Sequence, residues 1–340
     1  MDPVPWREAW HEALYAARRG FYVTRGGPAA HFTTAAHGPT GRVLAEAVLA
    51  LWAAEHGTEV PSVVVDVGAG RGELATHLLA ALDHLGPRYA AEPGRDETPR
   101  PRVVAVDVVD RPDGLDERVE WLRSPGGALL PPELTGLRDA LVIAHEWLDV
   151  VPCTVAQVDD DGTAREVLVD PATGEESLGA PLSDADRGWA EAHWPMRTRG
   201  DRLEIGLARD EAWAGLVARV GSGMLLAVDY GHTSSTRPPG GTLTAYASGR
   251  LTTPVPDGSC DVTAHVAMDT LDADEVRTQR EALQALGLTG ATPPHALAGS
   301  DPLAYVAALE RASAEARLLD RHAFGAFWWA LKRVEAHDVA

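Results

Sequence analysis

One stretch limits what this chain can fold into more than any other: VVVDVGAGRGE at residues 63–73. Its valines form a run that is too short for a helix and β-branched enough for a strand buried in a parallel sheet. Three glycines at alternate positions follow at once: Gly68, Gly70 and Gly72. A helical pattern then runs to Gly86, with one apolar face formed by Leu74, Leu78, Leu79 and Leu82. The sequence therefore predicts a strand, a glycine turn and a helix, the unit that opens a ligand-binding α/β sheet.

The alternation of strand and helix patterns continues along the chain. Short apolar runs predict three more buried strands, in RVVAVDVVD, DALVIAHEW and GMLLAVDYG, and a last strand in AFWWALKRV. Helices are predicted from a cap at Thr40 to Gly57, near DADEVRTQREALQALG and near DPLAYVAALERASAEARLL. Strands that alternate with helices predict a mostly parallel, Rossmann-like α/β sheet with helices on both faces.

The region 154–200 breaks this pattern. TVAQVDDDGTAREVLVD predicts a β-hairpin that turns at Asp161 and Gly162, and PATGEESLGAPLSD after it predicts a loop. We therefore expect a β-containing insertion that lies over one face of the sheet, on the substrate side.

Composition excludes several classes of function. The 340 residues include 50 acidic side chains and 30 Lys or Arg, a formal net charge of −20, so nucleic acid would be repelled. The opening MDPVPWREAW has no signal-peptide pattern, and no apolar run is long enough to span a bilayer. Two cysteines, Cys153 and Cys260, are too few for a disulfide framework, and the 13 histidines show no metal-ligand spacing. We expect a cytoplasmic protein with no metal site and with no nucleic-acid or membrane partner.

Polar residues collect where the predicted strands end, which is where α/β sheets bind ligands. These strand ends carry residues 66–72, Asp107, residues 145–149 and residues 229–232. A single Asp after a strand is more often a helix cap or a turn former than a ligand contact. Four strand ends with acidic or small polar residues together favour a binding site.

The spacing of the glycines indicates the kind of cofactor. A dinucleotide fingerprint requires G-x-G-x-x-G, and Glu73 stands where its third glycine belongs. An acid at the strand end followed by bare backbone suits S-adenosylmethionine, because carboxylates can meet its cations and glycines let the main chain approach closely. Asp107, at the end of the next strand, can accept hydrogen bonds from both ribose hydroxyls. The predicted cofactor contacts are Asp66, Gly68, Ala69, Gly70 and Asp107.

Several motifs, in order along the chain, resemble the MidA-type S-adenosylmethionine-dependent methyltransferases, a family that includes the mitochondrial complex I assembly arginine methyltransferase. The matching sequences are GFYVTRGGPAAHFTTAAHGPTGRVLAEAVLALW, VVDVGAGRGELATHLL, AHEWLDVVPC, AVDYGH, GTLTAYASGR and CDVTAHVAMDTL. The resemblance implies a class I methyltransferase sheet with an N-terminal helical cap, a lid in which Phe32 and Thr34 contact the cofactor, and a protein acceptor, arginine first. His145 and His31 replace the family's usual Asn and Asp, so the chain resembles a divergent, bacterial-looking branch.

The loop after the third predicted strand holds the candidate catalytic residues. A guanidinium acceptor needs carboxylates that hold it and localise a nitrogen lone pair, a role open to Glu146 and Asp149. A neutral acceptor needs a base, for which His145 or His232 is available. Structural alternatives stand beside these roles, because Glu146 can bind loop backbone and His145 can simply orient the loop.

Three hypotheses for function follow. The first is methyl transfer to a protein side chain, the second is O- or N-methylation of a small molecule or peptide in secondary metabolism, and the third is a non-catalytic, cofactor-binding assembly factor. The expected organisation is a cap or lid at 1–60, the cofactor-binding half of the core at 61–153, the insertion at 154–200 and the rest of the core at 201–340, with a long loop at 230–265. The sequence leaves the acceptor and the oligomeric state open.

Overall fold

The computed structural model of the chain describes residues 2–24, 34–57, 60–89 and 100–336. Its helices are α1 Trp6–Tyr15, α2 Phe21–Thr24, α3 Gly38–His56, α4 Glu73–Tyr89, α5 Asp184–His193, α6 Leu207–Val217, α7 Gln279–Ala285, α8 Ala296–Ser300 and α9 Pro302–Leu318. Its strands are β1 Val4–Pro5, β2 Val63–Val67, β3 Arg102–Asp107, β4 Val119–Arg123, β5 Ala140–His145, β6 Val155–Val158, β7 Ala164–Val169, β8 Glu176–Pro181, β9 Arg202–Glu204, β10 Gly223–Asp229, β11 Gly231–His232, β12 Thr244–Ala247, β13 Arg250–Thr252, β14 Asp261–Thr263, β15 Val266–Ala267, β16 Glu275–Thr278 and β17 Trp328–Val334.

A seven-stranded sheet forms the centre of the protein, in the order β16-β17-β10-β5-β2-β3-β4. Strands β4, β3, β2, β5 and β10 run parallel, and β17 is antiparallel to both of its neighbours. The chain winds to one side of β2 through β3 and β4, and to the other side through β5 and β10. The ends of β2 and β5 therefore lie at the switch point where sheets of this kind bind ligands.

Successive side chains of the central strands point to opposite faces of the sheet. Val64 packs with helices α3, α4, α7 and α9 on one face, whereas Val63 and Val65 pack with α6 on the other. Because both faces are covered, the strands are apolar almost throughout. The predicted α/β sheet with helices on both faces is confirmed.

A second, antiparallel sheet is built around the predicted hairpin, in the order β1-β7-β6-β9 with β8 beside β7. Strands β6 and β7 are joined by a turn in which Gly162 has φ 81° and its N–H donates to the Asp159 carbonyl, 3.2 Å away. The hairpin is therefore confirmed. Two strands come from outside residues 154–200, because Val4 pairs with Val169 and β9 pairs with β6.

The prediction that PATGEESLGAPLSD forms a loop is wrong, because it contains β8. Nearly all side chains of β8 are exposed, so the strand lacks the apolar alternation by which strands are recognised. Strand β4, at the edge of the central sheet, was not predicted either, and its side chains are also mostly unburied. Edge strands with two solvated faces leave a weak signal in the sequence.

Three predicted helix boundaries also differ from the structure. Helix α3 begins at Gly38 after the N-cap His37, and the Thr40 hydroxyl donates to the His37 carbonyl from inside the helix. Helix α4 passes through Gly86 to Tyr89, since a single glycine lowers helix stability without ending a helix. In DADEVRTQREALQALG the first part is strand β16, and the helix begins only after Thr278, which forms a capping box with Glu281.

Helices α1 and α2 pack against the second sheet, with Trp6, Trp10 and Phe21 buried beside Val155 and residues of β7 and β14. This N-terminal helical cap was predicted. No helix within the described ranges is long and apolar enough to cross a membrane.

Candidate active site

The glycine turn after β2 depends on backbone conformations that favour glycine. Gly68, Gly70 and Gly72 have φ angles of 77°, 60° and 83°, in the left-handed region. A Cβ at Gly68 would lie 3.2 Å from the Cβ of Trp147. The turn is anchored to the next strand, because the N–H groups of Gly68 and Ala69 both donate to the Val106 carbonyl. Bare backbone is thus held open at the switch point of the sheet.

The two predicted cofactor carboxylates are both fixed by backbone N–H donors. Asp66 is 2% exposed, and its Oδ2 accepts from the Ala75 N–H in the first turn of α4. Asp107 Oδ2 accepts from the Gly70 N–H at 2.8 Å, and its Oδ1 accepts from the Val109 N–H at 3.2 Å. Burial raises the pKa of Asp66 to about 7 and that of Asp107 to about 6. Asp107 therefore ties the glycine turn to the end of β3.

A cavity of about 360 Å³ lies on the Asp107 side of the glycine turn, and we call it the Asp107 cavity. Its walls combine backbone of the glycine turn with apolar side chains, including Val67, Val106, Val108, Val109, Leu130 and Trp147. Gly126, after β4, has φ 100°, and a Cβ there would lie 2.7 Å from the Tyr15 ring. Bare backbone therefore lines two sides of this cavity.

A second cavity of about 300 Å³ lies on the other side of the turn, and we call it the acidic cavity. Five carboxylates line it: Asp66, Glu73, Glu146, Asp149 and Asp261. Within the described residues, its lining contains no Lys or Arg. The two cavities share part of their walls, namely Tyr22, Gly68, Gly70, Glu146 and Val150, so they are neighbours across the glycine turn.

Glu146 follows β5 in a left-handed conformation, with φ 52°. Its N–H donates to the Val228 carbonyl at 2.8 Å, which fixes the turn to β10, and its carboxylate is hydrogen-bonded by the Ala35 backbone. Its Oε1 makes no hydrogen bond within the described residues, although His145 Nδ1 lies 3.4 Å away. Burial, together with the nearby Asp149 and Asp261, raises the pKa of Glu146 to about 8. A non-glycine residue with this conformation and an unpaired oxygen is typical of functional sites.

Asp149 lies three residues after Glu146 in the loop that follows β5, and it is 2% exposed. Its Oδ2 accepts hydrogen bonds from the Tyr230 hydroxyl and, at 2.7 Å, from the Thr263 hydroxyl. Its Oδ1 is buried and has no partner within the described part of the chain. Asp229 supports the loop, since its Oδ2 accepts from the N–H groups of Leu148 and Asp149. Burial raises the pKa of both aspartates.

Arg209 is a fully buried cation that holds the backbone around this loop. Its guanidinium donates to the carbonyls of Asp149, Val151 and His265, at 2.8, 3.2 and 2.8 Å. The same group lies 5.6 Å from the centre of the Trp10 ring. These contacts are to three backbone carbonyls and a ring, so none of these hydrogen bonds goes to a carboxylate of the acidic cavity. Arg209 therefore positions the loop.

The remaining predicted residues divide between the cavity and its surroundings. His145 lines the acidic cavity, and burial lowers its pKa to about 4, so the ring is neutral at pH 7. Thr34 also lines it, with its hydroxyl 2.8 Å from His37 Nδ1. His232 lines neither cavity and is bound by the Arg237 guanidinium. Phe32 and His31 lie outside the described residues.

Three residues of the site were not predicted: Tyr22, Arg209 and Asp261. Tyr230 lies in the predicted strand end 229–232 but was given no role, and Asp261 is the second residue of the CDVTAHVAMDTL motif of the resemblance. Within the described residues, no group of three or more His, Cys, Asp or Glu side chains could hold a metal ion.

The sheet order and the glycine turn define the fold of the class I methyltransferases. The chain belongs to the family described as "putative S-adenosyl-L-methionine-dependent methyltransferase", whose sequence model matches residues 43–289. The protein is thus an S-adenosylmethionine-dependent methyltransferase, and S-adenosylmethionine is its cofactor. This agrees with the enzyme class and the cofactor expected from the sequence.

Two solved structures from Burkholderia thailandensis share the fold. One is a COG1565 superfamily protein bound to S-adenosyl-homocysteine; it is 24% identical, with a TM-score of 0.70, and the match covers 97% of this chain and 87% of that one. The other is a native COG1565 superfamily protein; it is 23% identical, with a TM-score of 0.72, and the match covers 98% and 88%. Among curated protein sequences, none matches the chain.

Proposed function

We propose that this methyltransferase acts on a nitrogen of a basic protein side chain, with arginine as the first candidate. The proposal rests on the acidic cavity, which five carboxylates line and which has no Lys or Arg among its described residues. A cationic acceptor would compensate the buried Asp149 and Asp261 and the partly exposed Glu146, whereas a neutral hydroxyl would leave their charges uncompensated. The net charge of −20 adds a long-range attraction for basic partners.

The residues around the glycine turn fit S-adenosylmethionine. Gly68, Ala69 and Gly70 offer bare backbone that separates the two cavities, and Asp107 presents fixed carboxylate oxygens for ribose hydroxyls. The apolar walls of the Asp107 cavity suit an adenine ring. Asp66 and Thr34 line the acidic cavity, where the cationic end of the cofactor would meet carboxylates. We assign Asp66, Gly68, Ala69, Gly70, Asp107 and Thr34 to cofactor binding. A contact between Phe32 and the cofactor stays a prediction.

S-adenosylmethionine, when bound, supplies an electrophilic methyl group and a good leaving group. The chain's own contribution is to hold the acceptor nitrogen in line and to manage one proton. Glu146 Oε1 and Asp149 Oδ1 are unpartnered acceptors on one loop, able to orient a guanidinium. Once a cationic acceptor has displaced the proton that Glu146 carries in the ligand-free cavity, where burial raises its pKa to about 8, Glu146 Oε1 can take up the proton that the nitrogen must lose. His145, being neutral, adds no repulsion for a cation.

The decisive experiment incubates the purified protein with methyl-labelled S-adenosylmethionine and a fractionated lysate. We expect the label in a protein band, and methylarginine after acid hydrolysis of that band. Label in a small molecule would instead support the secondary-metabolism alternative. Label in lysine or a carboxyl group would contradict the assignment of arginine while leaving methyl transfer intact.

A matched pair of variants ties the label to the loop after β5. Glu146→Gln keeps the shape of the side chain and removes the base, so labelling should fall about 100-fold. The exposed Glu133→Gln serves as the control and should label as the unaltered enzyme does.

Two buried cysteines that form no disulfide are compatible with the cytoplasm, which we propose as the place of action.

A further inference from the structure

Asp261 brings a third carboxylate into the acidic cavity from a separate part of the fold. It begins β14 and pairs with Tyr246 of β12, whereas Glu146 and Asp149 belong to the loop after β5. Asp261 is 5% exposed, and its Oδ1 accepts a hydrogen bond of 2.6 Å from the Tyr22 hydroxyl. The side chain is thus held at the wall of the acidic cavity through Oδ1.

The acidic cavity also contains a buried carboxylate oxygen that accepts no hydrogen bond from the described residues. Asp149 is 98% buried, lines the cavity, and has no partner for Oδ1 among the described residues. Leaving such an atom unpaired costs free energy that a ligand donor can recover. Glu146 Oε1 is also buried and makes no hydrogen bond within the described residues, although His145 Nδ1 lies 3.4 Å away. Two carboxylates with unused acceptors therefore share the cavity with Asp261.

We propose that Asp261 is a specificity-determining residue for the acceptor: with Glu146 and Asp149 it forms a subsite that selects a planar guanidinium over an ammonium group. This inference rests on the proposed function and extends it to a residue outside the loop after β5. Tyr22 is the positioning residue that holds Asp261 in place.

The selection follows from the number and geometry of hydrogen-bond donors. A guanidinium carries five N–H donors in a rigid plane, which can serve acceptors on several sides at once. An ammonium carries three donors on a small, strongly hydrated centre, so it leaves part of a widely spread set of acceptors unpaired. Because the three carboxylates approach one cavity from two elements, they can accept donors from different sides of a single guanidinium.

The ionisable groups described around Asp261 are compatible with a bound cation. Burial, followed by the effect of Asp149, raises the pKa of Asp261 to about 8, and the Tyr22 hydrogen bond opposes that rise. Within the described residues, the other groups that interact with it include Tyr15, Tyr22, Tyr246 and Glu146, and none of these four carries a positive charge. Arg209, the buried cation beside the loop after β5, donates its hydrogen bonds to backbone carbonyls.

The test is a binding measurement on the full chain saturated with S-adenosyl-homocysteine, so that no turnover is needed. The probes are N-acetyl-arginine amide and N-acetyl-lysine amide, titrated by calorimetry. We expect the arginine probe to bind at least about tenfold more tightly, and Asp261→Asn to weaken it by about tenfold or more, the loss of one charge-assisted hydrogen bond. Affinity for S-adenosyl-homocysteine should stay within about twofold of the unaltered protein.

Two further variants separate a specific role from a structural one. The exposed Asp257→Asn, in the loop before β14, should leave both probes unaffected. Tyr22→Phe frees the Asp261 carboxylate and should weaken the arginine probe by about threefold. Equal binding of the arginine probe by Asp261→Asn and by the unaltered protein would overturn this inference alone. Failure of the unaltered protein to bind the arginine probe would overturn it together with the arginine assignment, and preference for the lysine probe would redirect both to amine acceptors.

Discussion

The two cavities beside the glycine turn use their acidic residues in opposite ways. In the Asp107 cavity, both oxygens of Asp107 accept backbone N–H groups. In the acidic cavity, Glu146 Oε1 and Asp149 Oδ1 accept no hydrogen bond from the described residues. The pKa reflects this difference, since burial raises that of Asp107 to about 6 but that of Glu146 to about 8.

This contrast separates two kinds of preparation for a ligand. In the Asp107 cavity, backbone N–H groups hold Asp107 in place while its oxygens can still accept ribose hydroxyls, and bare backbone and apolar walls provide the remaining contacts. The acidic cavity is incomplete in charge, so its carboxylates keep protons until a cation replaces them. We therefore expect changes near the glycine turn to act on cofactor binding, and changes in the acidic cavity to act on the acceptor and on pH dependence.

The largest effect is expected at Gly70, where the two cavities meet. Gly70→Val places a β-branched side chain at φ 60°, strains the turn and fills the space between the cavities. Binding of S-adenosylmethionine, measured by calorimetry, should fall at least about 1000-fold. The exposed helical Gly188→Val, whose added Cβ would meet nothing within 4 Å, should bind as before. Unchanged affinity in Gly70→Val would show that the cofactor does not approach this backbone.

A smaller effect that divides the two cavities is expected at Glu146. Glu146→Gln should lower the rate of methyl transfer about 100-fold, because the base and part of the acceptor subsite are lost. Affinity for S-adenosylmethionine should change by less than about threefold, since most cofactor contacts lie elsewhere. Rate and affinity are read from the same preparation by single-turnover labelling and calorimetry. A parallel loss of both would mean that Glu146 belongs to the cofactor site.

The reverse pattern is expected at Asp107. Asp107→Asn keeps the volume but weakens the hydrogen bonds to ribose hydroxyls and to the Gly70 N–H, so affinity for S-adenosylmethionine should fall about tenfold. At saturating cofactor the rate of methyl transfer should recover. The exposed Asp113→Asn, in the loop after β3, is the control. If the rate stayed low at saturation, Asp107 would act beyond binding.

The difference between the cavities also explains how far the sequence could lead. The strand, turn and helix at residues 63–89 are local elements, and their valine run, glycines and leucine face are visible in one short stretch. Asp107 was found because the acid that ends the next strand lies beside the turn in any parallel sheet. The strand, turn and helix, and the position of Asp107 beside the turn, could therefore be predicted from the sequence, while their contacts with the cofactor stay predictions.

The acidic cavity is assembled from residues that are distant in sequence, which is why its walls were only partly predicted. Tyr22, Asp149 and Asp261 meet through the docking of α2 and β14 onto the core, and no local pattern encodes that meeting. Arg209 lies in a helical stretch where an arginine is ordinarily solvated, and only its three carbonyl partners reveal its role. Tertiary contact, not motif spacing, defines these residues.

The smallest effect, a few degrees of melting temperature, tests the charge state of the acidic cavity directly. Burial raises the pKa of Glu146 and of Asp261 to about 8, far above their ordinary values of 4.5 and 3.8. The unfolded chain has already released these protons at pH 7.5, whereas the folded chain releases them as the pH passes about 8. Stability present at lower pH is therefore lost as the pH rises, and the melting temperature of the ligand-free protein should fall by about 3 °C between pH 7.5 and 8.5.

The buried histidines do not oppose this, because His145, with a pKa of about 4, is neutral in both states over this interval. Glu146→Gln and Asp261→Asn should each flatten the slope and Asp257→Asn should not, whereas a melting temperature that holds or rises would mean that the cavity carboxylates are already ionised without a ligand.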